Sequence, residues 1–296
     1  FPTSFGFGYN DLKTENLLYN GLTRGDDFQR FISEPLPFVM RVARKHPAIL
    51  AYYGPDEVGE FPGRELCAEY SRIVREYDPY RPNFYLFCSY VADWPECYDV
   101  AGQDWYWGVG LKPAITTFQE VQDAVAVTTA NRMPYWHMPL LESFAGSRRG
   151  VSAAEQRIQT YLAVIGGAKG ITWYRWPPRY RANWEEIKTL ARELSNLSPV
   201  LLEGTPPQTI QHAKEGTEDT MQVLVQEHAG RTYLIAANAS THEAEVSFRL
   251  PGEYSGTADV WFEDRSVEIR DSAFTDHFVG YGTHVYELQG RWPSGS

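Results

Sequence analysis

The sequence predicts a parallel α/β fold followed by an all-β domain. From residue 26 to about residue 200, helical patterns alternate with short apolar runs, which is typical of a parallel sheet. After Thr205-Pro206-Pro207 the helical period ends and alternating apolar and polar residues begin, which indicates an antiparallel β-sandwich of roughly seven to eight strands. The 296 residues suit one large domain, expected over 1–204, and one small domain, expected over 208–290.

Short apolar runs predict the strands of the first domain, which are Ser4–Tyr9, Ile49–Tyr53, Phe84–Cys88, Val100–Asp104, Tyr135–Glu142 and Gly170–Tyr174. The predicted helices are 26–45, interrupted at Pro35 and Pro37, then 63–77, 115–131, 152–167 and 184–198. Six strands in parallel order are two fewer than a closed eight-stranded barrel requires. Either the sheet is open, or about two βα units precede residue 1.

The second domain shows no helical period over residues 208–289. Its strands are predicted from alternating segments, namely Met221–Gln226, Thr232–Ala237, Glu243–Leu250, Ala258–Trp261 and His284–Leu288. Turn-forming residues such as Gly230 and Gly252 separate these segments. We therefore expect an antiparallel sandwich over this part of the chain.

Composition narrows the classes of partner. The net charge of −11 and the absence of a run rich in Lys or Arg argue against nucleic acid. No stretch of 18 apolar residues predicts a membrane span. Aromatic residues make up 15% of the chain, and they could either stack on sugar rings or fill a core. Nucleotide-binding, serine-hydrolase and zinc-ribbon motifs do not occur, and the 7 histidines lack metal-ligand spacing, so we expect no cofactor and no metal.

Cysteines and sequons leave the cellular compartment open. Cys88 and Cys97 flank a short loop and could form a disulfide, although buried thiols are an equal alternative. Asn196-Leu-Ser and Asn238-Ala-Ser are glycosylation sequons. The first residues, FPTSFGFGYN, have neither an initiator Met nor a signal sequence, so we expect that a leader or a longer segment has been removed.

Two of the predicted strands lead into glutamates. The segment Ile49-Leu-Ala-Tyr-Tyr-Gly-Pro-Asp-Glu57 places Asp56 and Glu57 just after a strand, and Met138-Pro-Leu-Leu-Glu142 ends in Glu142. Catalytic groups of parallel barrels lie at the carboxyl ends of strands. Hydrolysis of a glycosidic bond needs one carboxyl group to protonate the leaving oxygen and another to attack or support the sugar centre. Helix capping and ion pairing with Arg are alternative roles for these glutamates.

The chain resembles the clan A glycoside hydrolases and their barrel relatives. The resemblance rests on His46-Pro-Ala-Ile-Leu-Ala-Tyr-Tyr-Gly-Pro-Asp-Glu57, on Tyr77-Asp-Pro-Tyr-Arg-Pro82 and on Gly166-Gly-Ala-Lys-Gly-Ile-Thr-Trp-Tyr-Arg-Trp176. It implies a TIM (β/α)₈ barrel in which 49–53 is the fourth strand and 135–142 the seventh. The β-rich end of the chain is similar to the accessory domain of such barrels, notably around Val260-Trp-Phe-Glu-Asp-Arg.

On this resemblance, Glu57 is the acid/base and Glu142 the nucleophile of a retaining glycosidase, and their carboxyl groups should stand roughly 5–5.5 Å apart. The clan has Asn before the acid/base, where it binds the sugar 2-hydroxyl, whereas this chain has Asp56. Asp accepts that hydrogen bond as well, but its charge beside Glu57 should raise a carboxyl pKa.

Further substrate contacts are expected around the barrel mouth. Trp173 and Trp176 resemble the clan's sugar platform, with Trp173 preferred and core packing as the alternative. Asp104, Trp105 and Tyr106 could form an acidic and aromatic rim, or they could pack within a loop. Tyr90 is a candidate from its position after the fifth strand of the clan.

Two functions follow from these observations. The first is a secreted or periplasmic retaining glycosidase acting on an oligo- or polysaccharide. The second is a barrel that binds or displays carbohydrate without hydrolysing it, which the presence of Asp56 and the two missing strands favour. Because an incomplete barrel leaves strand edges unpaired, we also expect roughly 60–120 residues upstream, or a partner chain, to complete the barrel.

Overall fold

A computed structural model describes residues 3–6, 25–56, 58, 63–88, 90–104, 112–141, 150–174, 178, 180–204, 211–214, 220–250 and 255–288. Contacts divide the chain into two compact units. Unit 1 comprises Phe1–Trp105 and Gln122–Met138, and unit 2 comprises Tyr106–Val121 and Pro139–Ser296. This division differs from the domain bounds predicted above, which stay a prediction. Within the described part of the chain, no helix is long and apolar enough to cross a membrane.

Unit 1 is built on a parallel sheet. In chain order its elements are β1 (Thr3–Gly6), α1 (Gly25–Ser33), α2 (Pro35–Ala43), β2 (Ile49–Tyr53), α3 (Arg64–Tyr77), β3 (Asn83–Phe87), β4 (Val100–Gln103), the second half of α4 (Ile115–Ala130) and β5 (Tyr135–His137). Each strand pairs in parallel with the next one, from β1 to β5. Within the described part of unit 1, β1 pairs with β2 alone and forms the edge of the sheet.

The central strand β3 is buried along its whole length, as expected of a parallel sheet covered on both faces. Phe84 and Leu86 pack on one face with Ala51 and Val100. Tyr85 lies on the other face, where its hydroxyl contacts α3. Gly102 and Trp136 lie on the same face as Phe84.

A charged cluster connects β2 to the loop before β3. We call Tyr52, Asp78 and Arg81 the Asp78 cluster. Tyr52 Oη donates to Asp78 Oδ2 over 2.7 Å, and Arg81 Nη1 donates to the same oxygen over 2.6 Å. The backbone N–H of Tyr80 donates to Asp78 Oδ1 over 3.1 Å. Arg81 also donates to the carbonyl of Ile49, so the cluster ties the start of β2 to the loop before β3.

Unit 2 combines helices with antiparallel sheets. Its elements are the first half of α4, α5 (Ala153–Ile165), β6 (Gly170–Ile171), α6 (Arg181–Glu203), β7 (Gln211–Lys214), β8 (Met221–His228), β9 (Arg231–Asn238), β10 (Ala244–Arg249), β11 (Gly256–Val260), β12 (Arg265–Ile269), β13 (Ala273–Phe278) and β14 (Thr283–Leu288). The last eight strands form two sheets, with the orders β13-β10-β7 and β12-β11-β14-β9-β8. The antiparallel domain predicted from the sequence is confirmed.

Two apolar clusters organise unit 2. Phe248, Phe274 and Tyr286 lie in the cluster between the two sheets. In the other cluster, Ile158 and Leu162 of α5 and residues of α6 pack on β9 and β14. The sandwich thus covers apolar surface of α5 and α6. α5 begins with a capping box, in which Ser152 and Glu155 each accept a hydrogen bond from the other's backbone N–H.

An ion-pair network joins the two helices. We call Arg157, Tyr161, Glu186 and Glu193 the Arg157 cluster. Arg157 donates to both oxygens of Glu193, over 2.8 and 2.6 Å, and its Nε lies 3.0 Å from Glu186. Tyr161 Oη donates to Glu193 Oε2 over 2.6 Å. Arg157 Nη1 also donates to Thr283 of β14 over 3.4 Å, so the network reaches the sandwich.

Asn238 closes the end of β9. Its side-chain amide donates to the carbonyls of His242 and Val279, over 2.8 and 3.1 Å. Its Oδ1 accepts from the backbone N–H of Ser240 over 3.1 Å. The side chain is fully buried. Asn238 therefore links the strand to two neighbouring loops.

Several predicted boundaries differ from the structure. The strand predicted over Tyr135–Glu142 ends at His137, because Pro139 has no N–H to donate to a sheet ladder. The strand predicted over Gly170–Tyr174 keeps two residues. The helix predicted over 184–198 extends to Arg181–Glu203, with Pro199 inside it. All three cysteines lie in described parts of the chain and none forms a disulfide, with Cys97 buried and Cys88 exposed.

Candidate functional site

The predicted site residues fall into two groups. Glu57, Trp105, Tyr106, Glu142 and Trp176 lie outside the described residues. The described candidates are Asp56, Tyr90 and Asp104 in unit 1 and Trp173 in unit 2. Their surroundings can be followed from the strands that carry them.

Asp56 and Asp104 follow strands of one parallel sheet. Asp56 comes three residues after the end of β2, and Asp104 directly follows β4. Because β2, β3 and β4 run in parallel, their carboxyl ends lie at one edge of the sheet. Asp104 is 6% exposed, and its N–H donates to the carbonyl of Phe87 over 3.1 Å. This edge of unit 1 therefore carries two acidic side chains from alternate strands.

The turn that contains Asp56 is fixed to β3 on both sides. The N–H of Gly54 donates to the carbonyl of Phe84 over 2.8 Å, and the N–H of Val58 donates to Leu86 over 3.1 Å. A Cβ atom at Gly54 would lie 2.2 Å from the ring of Tyr85, so no larger residue fits there. The position of Asp56 thus follows from the pairing of β3 with the chain beyond β2.

A row of three aromatic rings, Tyr53, Phe84 and Trp136, lies on one face of the sheet. Tyr53 stacks on Phe84 with the ring centroids 5.3 Å apart, and Phe84 contacts Trp136 at 5.1 Å. Gly102 on β4 makes this possible, because a Cβ atom there would lie 2.4 Å from the Phe84 ring. At one end of the row, the hydroxyl of Tyr53 donates to Asp56. The row brings apolar rings and a carboxylate together, a combination that suits sugar binding.

The sequence did not single out Tyr53 or Trp136. Alternation along β2 places Tyr53 on the same face as Ala51, and this pattern is visible in the sequence. The contact of its hydroxyl with Asp56 depends on the turn, which has no sequence signal of its own. Trp136 required the pairing of β4 with β5 before its neighbours could be known.

His137 at the end of β5 is buried and neutral. Desolvation lowers its pKa to about 3, so its ring carries no charge at neutral pH. Its Nδ1 lies 3.0 Å from the hydroxyl of Tyr135. Within the described part of the chain, no group of three or more His, Cys, Asp or Glu side chains could hold a metal ion.

Tyr90 is 66% exposed in the loop after β3. It lies beyond the end of β3, which closes at Phe87. A contact with substrate stays a prediction.

In unit 2, the chain that leads to Glu142 pairs with the chain after β6. Leu140 and Tyr174 form a parallel bridge, and the N–H of Leu141 donates to the carbonyl of Tyr174. The N–H of Tyr174 in turn donates to Pro139 over 3.0 Å. Leu141, the residue before Glu142, is therefore held at the same level as Tyr174.

Trp173 is packed against α5. Its indole N–H donates to Thr160 Oγ1 over 3.3 Å, and its ring packs on an apolar cluster formed by α5, α6 and the sandwich. This environment favours the core-packing alternative considered from the sequence. A role of Trp173 as a sugar platform stays a prediction.

Comparison with known proteins gives likeness at the level of structure. No protein-family model matches the sequence, and no curated protein matches it either. An α-amylase from Anoxybacillus is similar with a TM-score of 0.52 and 14% identity, covering 89% of this chain and 65% of that protein. A β-galactosidase from Bacillus circulans sp. alkalophilus has a TM-score of 0.63 and 8% identity, with coverage of 90% and 82%. A GH42 β-galactosidase from G. stearothermophilus has a TM-score of 0.61, 7% identity and the same coverage.

These similarities show the fold. The chain has the architecture of a partial TIM barrel followed by a β domain, as the sequence predicted, and its structural neighbours are glycoside hydrolases. It spans about two thirds of the length of the α-amylase and 82% of the length of each β-galactosidase.

Proposed function

We propose that this protein is a retaining glycoside hydrolase acting on an oligo- or polysaccharide, with Glu57 as acid/base and Glu142 as nucleophile. The main support is the carboxyl edge of the parallel sheet in unit 1, where Asp56 lies beside an aromatic row and directly precedes Glu57 in sequence. Parallel barrels place their chemistry at this edge. Fixed polar groups beside rings suit a sugar, whose C–H faces pack on aromatic rings while its hydroxyls form hydrogen bonds.

The mechanism assigns each glutamate a different protonation state. Glu57 starts protonated and gives its proton to the leaving oxygen, while the ionised Glu142 attacks the anomeric carbon. Water then hydrolyses the glycosyl-enzyme, with Glu57 acting as the base that accepts a proton from the water. Asp56, Tyr90, Asp104, Trp105, Tyr106 and Trp176 are the proposed substrate contacts, with Trp173 as a weaker candidate. A secreted or periplasmic location and an upstream segment or partner chain that completes the barrel belong to the same proposal.

The test is covalent trapping in the full-length protein. We expect a 2-deoxy-2-fluoro glycoside with a good leaving group to label a peptide that contains Glu142, as detected by mass spectrometry. Glu142→Gln should lower turnover of aryl glycosides by at least about 10³-fold without unfolding the protein. Glu65→Gln is the matched control, because Glu65 is an exposed residue in the first turn of α3. Turnover by pure Glu142→Gln at the wild-type rate would refute the assignment.

A carbohydrate-binding barrel without turnover is the second candidate. Asp56 favours it, because an additional carboxylate beside Glu57 alters the charge of an acid/base site. Saturable binding of sugars together with no hydrolysis of any aryl glycoside, and no fluorosugar label, would support this candidate over the first.

A further inference from the structure

Tyr53 is held in place along its whole side chain and backbone. Its ring stacks on Phe84 at an interplanar angle of 25°, and Phe84 is backed by Trp136. Its carbonyl accepts a hydrogen bond from Tyr70 Oη on α3 over 3.4 Å. Because the ring cannot swing without breaking the aromatic row, its hydroxyl stays at one position near the end of β2.

The turn that Tyr53 contacts is held equally firmly. Tyr85 fills the space behind Gly54, and its own hydroxyl lies 2.8 Å from Ser71 Oγ and donates to the carbonyl of Cys67 over 2.8 Å. The turn therefore cannot retreat toward α3. Of the two groups in the contact, the hydroxyl comes from the sheet and the carboxylate comes from the turn. The hydrogen bond from Tyr53 therefore restricts rotation of the Asp56 carboxylate.

We propose that Tyr53 is a positioning residue, which orients the Asp56 carboxylate so that it accepts a hydrogen bond from a bound sugar. The inference rests on the proposed function. A carboxylate can accept hydrogen bonds but cannot donate them, so Asp56 favours a hydroxyl or ammonium group on the ligand. Donation by Tyr53 also spreads the charge of Asp56, which lessens its repulsion of a carboxylate at Glu57.

A double-mutant cycle in the full-length protein separates this role from a structural one. The four proteins are wild type, Tyr53→Phe, Asp56→Ala and the double variant, assayed on a panel of 4-nitrophenyl glycosides. We expect Tyr53→Phe to lower kcat/KM by about 10- to 100-fold, mostly through kcat, since a misplaced group costs most in the transition state. In the Asp56→Ala background, which has no acceptor for the Tyr53 hydroxyl, the same change should cost less than about 3-fold, because Tyr53 acts through Asp56.

Tyr98→Phe is the matched control. Tyr98 also lies in unit 1, where it is fully buried while Tyr53 is half-buried, and its hydroxyl donates to the carbonyl of Ala92 over 2.7 Å. Its loss should leave kcat/KM within about 2-fold of wild type. Equal losses from Tyr53→Phe in both backgrounds would overturn the proposal, because they would mean that Tyr53 acts on the fold alone.

A binding measurement keeps the inference distinct from the proposed function. If wild type hydrolyses no glycoside but binds glucose or galactose in calorimetry, the hydrolase assignment fails and the cycle is evaluated on affinity. The positioning role then predicts that Tyr53→Phe weakens binding at least about 5-fold in the wild-type background and less than about 2-fold beside Asp56→Ala. Equal weakening in both backgrounds, or no binding of either sugar by wild type, overturns it.

Discussion

The two units stabilise themselves with clusters of the same three chemical types. Each cluster joins an arginine, a carboxylate and a tyrosine hydroxyl that donates to the carboxylate, over 2.7 Å in the Asp78 cluster and 2.6 Å in the Arg157 cluster. In unit 1, Arg81 faces a single carboxylate, which also accepts a backbone N–H. In unit 2, Arg157 lies between Glu193 and Glu186.

Because of this difference, the pKa shifts of the two carboxyl groups, Asp78 and Glu193, have opposite directions. Burial alone would raise the pKa of Asp78, but the hydrogen bonds from Tyr52, Arg81 and the backbone outweigh it, and the pKa falls below its usual value. Burial also raises the pKa of Glu193, and there the nearby charges of Glu186 and Glu263 add to the rise, so that Tyr161 and Arg157 do not reverse it. The number of carboxylates per arginine and their burial therefore decide whether a cluster favours the ionised acid.

Removing the arginine of unit 2 should have the largest effect. Arg157→Met leaves Glu186 and the 7% exposed side chain of Glu193 without their cation, so we expect a loss of about 3–5 kcal/mol in the free energy of unfolding. Urea unfolding of the full-length protein at pH 7 measures it. Arg181→Met, at the exposed first residue of α6, is the control and should cost under about 0.5 kcal/mol. A loss at Arg157 no larger than the control would contradict the comparison.

Removing the arginine of unit 1 should have a smaller effect. After Arg81→Met, Asp78 keeps the hydroxyl of Tyr52 and the N–H of Tyr80, so one acid remains with two donors. We expect about half the destabilisation of Arg157→Met or less in the same urea titration. Arg72→Met, which breaks an exposed pair with Glu76, is the control. A larger loss of stability from Arg81→Met than from Arg157→Met would show that the second carboxylate of the Arg157 cluster, Glu186, does not determine the destabilisation.

The smallest effect is a change in the pH dependence of stability. The folded-state pKa of Glu193 is raised, so its contribution to the free energy of unfolding is present below about pH 4.5 and is lost as pH rises through the folded pKa. The folded-state pKa of Asp78 is lowered, so its contribution to the free energy of unfolding is present above about pH 3.8 and is lost as pH falls through the folded pKa. Above about pH 4.5, Glu193 should make the free energy of unfolding fall as pH rises, and Glu193→Gln should remove this fall. Below about pH 3.8, Asp78 should make the free energy of unfolding rise with pH, and Asp78→Asn should remove this rise.

Thermal unfolding between pH 2.5 and pH 7, in steps of about half a unit, measures these slopes, each at most about 1.4 kcal/mol per pH unit. The two variants serve as controls for each other, because each should keep the slope that the other loses. Slopes of the same sign for both carboxylates would contradict the assignment.

The sequence predicted those elements whose signals are local. Strand β2 was predicted with its observed ends, since an apolar run lies between His46-Pro47 and Gly54-Pro55. Strands β12 and β13 were not predicted, because each has polar residues on both faces and so lacks a clear apolar alternation. Asp56 and Asp104 were predicted at strand ends, which need only the strand positions. The contact of Tyr53 with Asp56 and the packing of Trp173 on α5 depend on which elements meet in space, and single-residue patterns do not contain that information.

The burial of Asn238 has a consequence for production of the protein in a eukaryotic host. A glycan needs the side-chain amide nitrogen of its sequon, and in Asn238 that nitrogen is enclosed and donates to two carbonyls. Asn196 lies on the exposed side of α6, where an oligosaccharide would extend into solvent. Of these two sequons, the folded domain can carry a sugar chain at Asn196 alone, and a glycan attached early at Asn238 would prevent the end of β9 from closing.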